Sequence, residues 1–510
     1  MPRTGPGCRG SYFAERSRVS CTAKNRSARR NNSRPSLNQK ASPEHQGRNM
    51  EKCSHESGRH SAENDGKYDI TGSTATNVVD GFTMVAVGDV IVSRALANGH
   101  HPGFSEIVEL LRAADVTFGN METLIFDIRS FNGTPQAEYG GAYHVSLPEI
   151  GPDLKAMGFN IMGRANNHSL DWGVEGMRET SRILDESGII HAGVGESRAQ
   201  ASAARLLETA RGRVALLSCA TSFTPMSRAC DPAGEAPARP GVNALRLERS
   251  VVVEPDMLES LRKIRDALPN PGPKHDDREM LVLAGTTYRT GKDVGYTYAA
   301  NTRDLADILR NVRRGKQYSD FCIFTNHAHE PGNWSEEPAD FEQALARKLI
   351  DAGADAYVGH GPHRLRGIEI YKRRPIFYSL GNFFYDDLRT PVGADMYDVY
   401  DKDPQVDTDA EVTAAEETMG YPTAAGFIGA LAEPVYYESV VAVSRFEENQ
   451  LAELRLYPIE LGYSKRLANR GVPSLAPRPQ AISILERLQR LSEPFGTRIT
   501  IEDRVGLIRL

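Results

Sequence analysis

One repeated pattern constrains this chain more than any other: a short apolar run ending in polar, chemistry-bearing side chains, with amphipathic stretches between the runs. The run from Phe82 ends at Gly88-Asp89. The run at 115–118 leads into Gly119-Asn120-Met121-Glu122, and that at 159–162 into Ala165-Asn166-Asn167-His168. Residues 321–325 lead into His327, His329 and Glu330, and residues 356–358 into His360 and His363. Helical periodicity marks 104–114, 148–157, 174–187 and 338–352, and further apolar runs lie at 213–219 and 280–283. Apolar runs without polar alternation read as strands buried on both faces. Their alternation with helices predicts a layered α/β domain with much parallel pairing. Ligands in such sheets sit beyond the carboxyl ends of the strands. The polar groups are therefore expected to gather on one rim. Two alternating strands at 439–446 and 452–457 and a helix at 480–491 close the chain. No internal repeat is evident.

Taken singly, each of these groups has an ordinary structural use. A Gly-Asp after a strand makes a turn, Asn166 or Asn167 can cap a helix, and a single His is commonly a satisfied structural residue. Five clusters in the same context favour a shared polar site. Carboxylate, amide and imidazole donors together suit Mn²⁺, Zn²⁺ or Fe, whereas dedicated Ca²⁺ cages use oxygen alone and structural Zn²⁺ sites favour thiolates. With a divalent metal, one ion or two, such a site supports hydrolysis. Without metal, the same groups could serve as an acid/base pair across a carbon centre, which is epimerisation.

Composition limits the partners. The chain has 510 residues, with 61 Lys+Arg against 67 Asp+Glu, unevenly spread. Residues 1–49 hold 11 basic residues and two acids, Glu15 and Glu44, for a net +9. The remainder, with 50 basic residues against 65 acidic, is net −15. An acidic body argues against nucleic-acid binding, which needs clustered Lys and Arg. No run approaches the ~18 apolar residues of a membrane span. The six cysteines form no CxxC pair and fit a reducing compartment. The opening residues have no apolar core of a secretory signal, so a cytoplasmic protein is expected.

Residues 1–78, rich in Arg, Ser, Asn and Gly, are expected to form a disordered arm. A start codon placed too far upstream, with Met50 as the true start, would give the same composition. The main domain is expected over 79–465, interrupted by an irregular insertion at about 222–278 and a mobile acidic loop at about 385–436. A C-terminal helix with short strands, 466–510, is expected to pack on it.

The stretches Val87-Gly88-Asp89-Val90, Phe118-Gly119-Asn120-Met121-Glu122-Thr123, Ala165-Asn166-Asn167-His168-Ser169-Leu170-Asp171-Trp172-Gly173, Gly359-His360-Gly361-Pro362-His363 and Tyr378-Ser379-Leu380-Gly381-Asn382-Phe383 resemble, in order, the signature of the CapA family of capsule or poly-gamma-glutamate synthesis proteins. That family is similar to the calcineurin-like metallophosphoesterases, and the resemblance covers about residues 82 to 386. It implies a four-layer α/β/β/α sandwich with the site at the carboxyl rim. It implies metal ligation by Asp89, Glu122 as the bridging carboxylate, Asn167, His327 and His363, with His360 close by. His168 would protonate the leaving group, oriented by Asp171, and Arg94 would bind an anionic substrate group. Asn120, His329 and Asn382 complete the candidate site.

The chain departs from the phosphoesterase pattern at three points. Ile91 stands where a second histidine is usual, Glu122 replaces an aspartate, and Asn326-His327-Ala328-His329-Glu330 replaces the family's usual His-Trp-Gly. His329 is a candidate for the missing imidazole.

Three functions stay open. The first is a CapA-type metal-dependent hydrolase or transferase on an amide-linked polymer or phosphorylated substrate. The second is a cytoplasmic peptide-modifying enzyme such as an epimerase, and the third a non-catalytic binding protein on the same fold. The oligomeric state is not encoded in any feature of the sequence.

Overall fold

The computed structural model describes residues 76–510 except 98–100, 102, 137–142, 270–276, 387–389, 420, 424–425, 429–432 and 467–468. The expected disordered arm, apart from its last three residues, and the Met50 start lie outside the described residues.

The chain is a mixed α/β protein with several sheets. One sheet runs in the order Thr500–Glu502, Val505–Arg509, Gln450–Glu460, Glu438–Glu447, Phe82–Ile91, Val116–Met121, Ile161–Gly163, Ile190–Ala192, and Asn382–Tyr385 also pairs with Phe82–Ile91. From Phe82–Ile91 through Ile190–Ala192 the pairing is parallel, as is that with Asn382–Tyr385. The partner on the other side, Glu438–Glu447, is antiparallel. A second sheet runs Ile368–Tyr371, Arg374–Phe377, Ala356–His360, Phe321–His327, Gly212–Ala220, Arg205–Thr209. Its four inner strands are parallel.

The apolar runs lack polar alternation because their successive residues enter different cores. Phe82, Met84, Ala86 and Phe118 share a buried cluster with Leu216, Ile323, Val358 and Phe377 of the other sheet. Val85, Val87 and Met162 pack instead with Ile107, Leu111, Leu154 and Ile183, which lie on helices. Leu217, Phe324 and Tyr357 pack with Ile308, Val312, Leu345 and Leu349 of the helices Thr302–Gln317 and Asp340–Asp351.

A register shift places the first acid. Ala86 pairs with Phe118, yet Asp89 pairs with Asn120, so three steps on one strand match two on the other. Strict alternation after Ala86 would aim residue 89 toward the helices with Val85 and Val87. The extra residue of the bulge turns Asp89 to the opposite face, where Asn120 lies. Gly88 permits this, because a Cβ there would collide with the carbonyl of Gly381, which accepts a hydrogen bond from the Asp89 amide at 3.0 Å.

Three expectations are corrected. The apolar run Met280–Leu283 does not belong to the main alternation. It joins a separate four-stranded sheet ordered Met280–Leu283, Thr286–Thr290, Leu247–Val253, Gly295–Ala300. Accordingly the insertion at 222–278 is not wholly irregular, for it supplies the strand Leu247–Val253 and the helix Pro255–Ala267. The acidic stretch at 385–436 contains the helices Ala394–Val399 and Asp409–Met419. These are anchored by Met396 and Val412, which are buried with Leu124, Phe126, Tyr143 and Trp172. The Tyr143 hydroxyl adds a hydrogen bond to Asp395 at 2.8 Å. Among the described residues no helix is long and apolar enough to cross a membrane.

Candidate metal centre

The polar residues occupy the last positions of the strands as well as the turns after them. Asp89, Asn120, His327 and His360 lie within strands, and Glu122, Asn167, His168 and His363 follow them closely. Hydrogen bonding joins the rims of the two sheets. The Gly361 amide donates to Asp89 Oδ2 at 3.1 Å, and Asn120 Nδ2 donates to Asp89 Oδ1 at 2.8 Å while standing 3.4 Å from His327 Nδ1. Asn166, not Asn167, holds Asn120 in place, donating from Nδ2 to Asn120 Oδ1 at 3.2 Å and to the Met121 carbonyl at 2.8 Å.

Hydrogen-bond partners fix the imidazole tautomers. The Thr325 hydroxyl donates to the Val358 carbonyl at 2.8 Å, so it can only accept from His360 Nε2 at 2.5 Å. That leaves the His360 Nδ1 lone pair facing Asp89 Oδ1, 3.7 Å away. Asn382 donates its amide hydrogens to the carbonyls of His363 and Tyr436, so its Oδ1 accepts from His363 Nδ1 at 2.9 Å. Asp171 Oδ2 accepts from His168 Nδ1 at 2.6 Å, and Asn333 Oδ1 from His329 Nδ1 at 2.7 Å. These partners place the ring lone pair of His168, His329 and His363 on Nε2.

These lone pairs converge. Glu122 Oε1 lies 3.6 Å from His327 Nε2, 3.9 Å from His363 Nε2 and 4.0 Å from His168 Nε2, yet this buried oxygen has no hydrogen-bond partner. His327 has a second difficulty. Its Nε2 is 2.9 Å from His329 Nε2 and its Nδ1 is 3.0 Å from His360 Nδ1, and both of those neighbours present lone pairs. Neutral His327 carries one proton for two such contacts, so either tautomer leaves one nitrogen pair unsatisfied. A second proton is opposed by burial and by the neighbouring histidines, which hold its pKa well below the usual imidazole value. Burial likewise lowers His329 to about 3, helped by His363 and opposed by Asn333, and lowers His360 to about 4 against the pull of Asp89. It also raises Glu122 well above the carboxylate range, assisted by Asp89.

A divalent cation would resolve each of these conflicts. Bonds of about 2.1 Å arranged tetrahedrally separate neighbouring donors by about 3.4 Å, close to the spacings around Glu122 Oε1. The triplets Asp89/His327/His360, Glu122/His327/His329 and Asp89/Glu122/His363 each bring their donor atoms within 4.8 Å of one another. The side-chain oxygen of Asn167, also buried, has no hydrogen-bond partner. The residues present thus fit a metal ion, as a buried His/Asp/Glu cluster able to bind one.

His329 is drawn into the cluster, but Ile91, at the position where a histidine would be usual, is buried in an apolar cluster with Val90 and Phe384. Arg94 is engaged elsewhere, its Nε 2.8 Å from Asp386 Oδ2. His363 adopts a left-handed backbone conformation with φ 58°, a strain on the order of 1–3 kcal/mol of the kind found at functional sites. Sequence reasoning missed Thr325 and Asn333, which set two tautomers, and His144, whose ring lies 4.6 Å from that of His168. Thr325 stands two residues before His327, a spacing that carries a signal only once the strand is assigned. Neither Asn333 nor His144 belongs to any periodic pattern.

The family described as Bacterial capsule synthesis protein PGA_cap matches residues 83–387. The chain belongs to the PGA_cap family. Every residue of the cluster lies within the PGA_cap match. Capsule biosynthesis protein CapA of Bacillus anthracis is 25% identical over 313 residues, 60% of each chain. PGA biosynthesis protein CapA of Bacillus subtilis (strain 168) is 25% identical over 310 residues, 59% of this chain and 62% of that one. The chain thus spans about 60% of the length of these relatives. A solved structure of a hypothetical protein from Thermus thermophilus is 10% identical, covering 74% of this chain and 99% of its own, with a TM-score of 0.31, a likeness too slight to carry weight.

Proposed function

We propose that this chain is a CapA-type protein of capsule or poly-gamma-glutamate synthesis, acting as a metal-dependent hydrolase or transferase on an amide-linked or phosphorylated substrate. The observation that carries the reading is the buried, unpartnered Glu122 Oε1 facing three imidazole Nε2 atoms. The family match and the CapA relatives support the biological setting. A four-layer α/β/β/α arrangement is part of the proposal, supported by one apolar cluster shared between the sheets and one between each sheet and its helices.

Asp89, Glu122, Asn167, His327, His360 and His363 would hold Mn, Zn or Fe, with His329 adding an imidazole. The ion would supply Lewis-acid polarisation of the scissile carbonyl or phosphoryl oxygen. The chain's own residues account for the remainder. Asp89 is held by the Gly361 amide and Asn120, and Asn382 fixes the ring of His363. His168 delivers a proton to the leaving group from Nε2, and Asp171 orients the ring and stabilises the imidazolium from the Nδ1 side.

Elemental analysis of the purified protein beside Asp89→Ala and His363→Ala variants tests the reading, combined with hydrolysis assays on a γ-linked glutamate oligomer and a simple phosphoester. Near-stoichiometric metal, lost in both variants along with hydrolysis, is the expected result. A protein that takes up no Mn, Zn or Fe would overturn it.

A further inference from the structure

Beside the cluster lies a cavity of about 340 Å³ whose walls come from both sides of the insertion described above. Thr221 and Phe223, in the turn after Gly212–Ala220, line it together with Arg249 and Tyr298 of the small sheet. His329 and Glu330 also line it. His329 belongs to the metal cluster as well, so a group seated in the cavity lies one side chain from the proposed ion. The volume is near the lower end for small-molecule sites and suits a short segment of a chain.

The charges in this cavity are not equivalent. Arg246 is already spent: its Nε lies 2.7 Å from one oxygen of Asp304 and its Nη2 3.0 Å from the other. Arg249 is exposed, with no carboxylate partner among the described residues, and its guanidinium lies 5.5 Å from the centre of the Tyr296 ring. A guanidinium held by an aromatic face and free of acids, on a chain body of net negative charge, is suited to capture a carboxylate. Glu330 has the opposite character. Its oxygens accept from the Thr221 hydroxyl at 2.9 Å and the Ser222 hydroxyl at 3.3 Å, and it can accept further from an N–H. Phe223 and Tyr298 add apolar surface to the same lining.

We infer that this cavity is a substrate subsite for a carboxylate-bearing amide chain, in which Arg249 pairs with a substrate carboxylate and Glu330 accepts from a substrate N–H. Arg249 is then a specificity-determining residue contributed by the small sheet. The inference rests on the amide-linked branch of the proposed function.

Binding of a γ-linked glutamate oligomer to the full chain tests it, measured by calorimetry beside the same oligomer with its carboxylates amidated, and with metal content recorded for every preparation. Arg249→Ala is expected to weaken the acidic oligomer roughly tenfold, or about 1.4 kcal/mol. Arg249→Glu should weaken it more and Arg249→Lys less, the amidated oligomer should be unaffected by all three, and metal content should not change. Equal affinity of wild type and Arg249→Ala for the acidic oligomer would overturn the subsite. So would failure of the metal-replete wild type to bind it at all. Arg249-dependent binding by a protein that takes up no metal would sustain the subsite while removing the metal-dependent chemistry.

Discussion

Replacing Glu122 by Gln should change stability with opposite sign in the metal-free and metal-loaded protein. Donor oxygens of Asp89 and Glu122 lie within 4.8 Å of each other, both residues are buried, and among the described residues no Lys or Arg pairs with either. Were both ionised, two like charges at that separation would repel by about 3.5 kcal/mol at an effective dielectric of about 20; burial together with this repulsion is what holds the Glu122 pKa above the carboxylate range. Asn120, which donates to Asp89 and lies 3.4 Å from Glu122 Oε2, relieves part of this. In chelator-treated protein the wild type must either take up a proton at Glu122 on folding or bury its charge, so Glu122→Gln, neutral and close in shape, is expected to stabilise by about 1–3 kcal/mol at neutral pH. With metal at a hundredfold excess over its dissociation constant, the wild type gains about 2.7 kcal/mol by linkage, and the variant, lacking the central anionic donor, forfeits most of it. Thermal or denaturant unfolding of both proteins, with and without metal, should therefore cross. Equal destabilisation in the two conditions would refute the reasoning and leave Glu122 a structural residue.

Further outcomes follow from other contacts. His168→Ala should lower turnover by roughly 10²–10⁴-fold with metal content retained, and Asp171→Asn should lower it less, as single-turnover kinetics with elemental analysis would show. Gly88→Ala should cost on the order of 3 kcal/mol, because a Cβ meets the Gly381 carbonyl and the bulge that aims Asp89 must shift; loss of melting temperature together with loss of metal checks this. Burial pushes the Glu342 carboxyl from its usual 4.5 up to about 7, against the pull of Arg366 and Tyr357. A raised folded-state pKa gives stability that is present below about pH 4.5 and lost as pH rises through about 7. Glu342→Gln should flatten that part of the stability profile, read from unfolding midpoints between about pH 4.5 and 8.

The site was legible in the sequence to the extent that strand ends announce themselves. Asp89, Glu122, His327, His360 and His363 each stand in or just after an apolar run, and parallel pairing within each sheet brings them to a common rim. Arg94 shows the limit of position alone, since its partner is Asp386, almost three hundred residues away. The acidic stretch at 385–436 has a composition that reads as solvated loop. It is helical where it docks, because Met396 and Val412 find apolar partners in the distant residues Leu124, Tyr143 and Trp172.

What the sequence determines by itself is which segments form strands and which form helices, because side-chain periodicity is local. Which sheet a run joins is not local. Met280–Leu283 is as apolar as the main strands, yet its place beside Thr286–Thr290 depends on the pairing of that strand with Leu247–Val253. Nor is the aim of Asp89, which rests on a one-residue register shift against Val116–Met121 and on contacts with Gly361 and Gly381, 272 residues or more away. The tertiary structure alone decides such matters, because register and tautomer are set by partners that the chain brings together only when it folds.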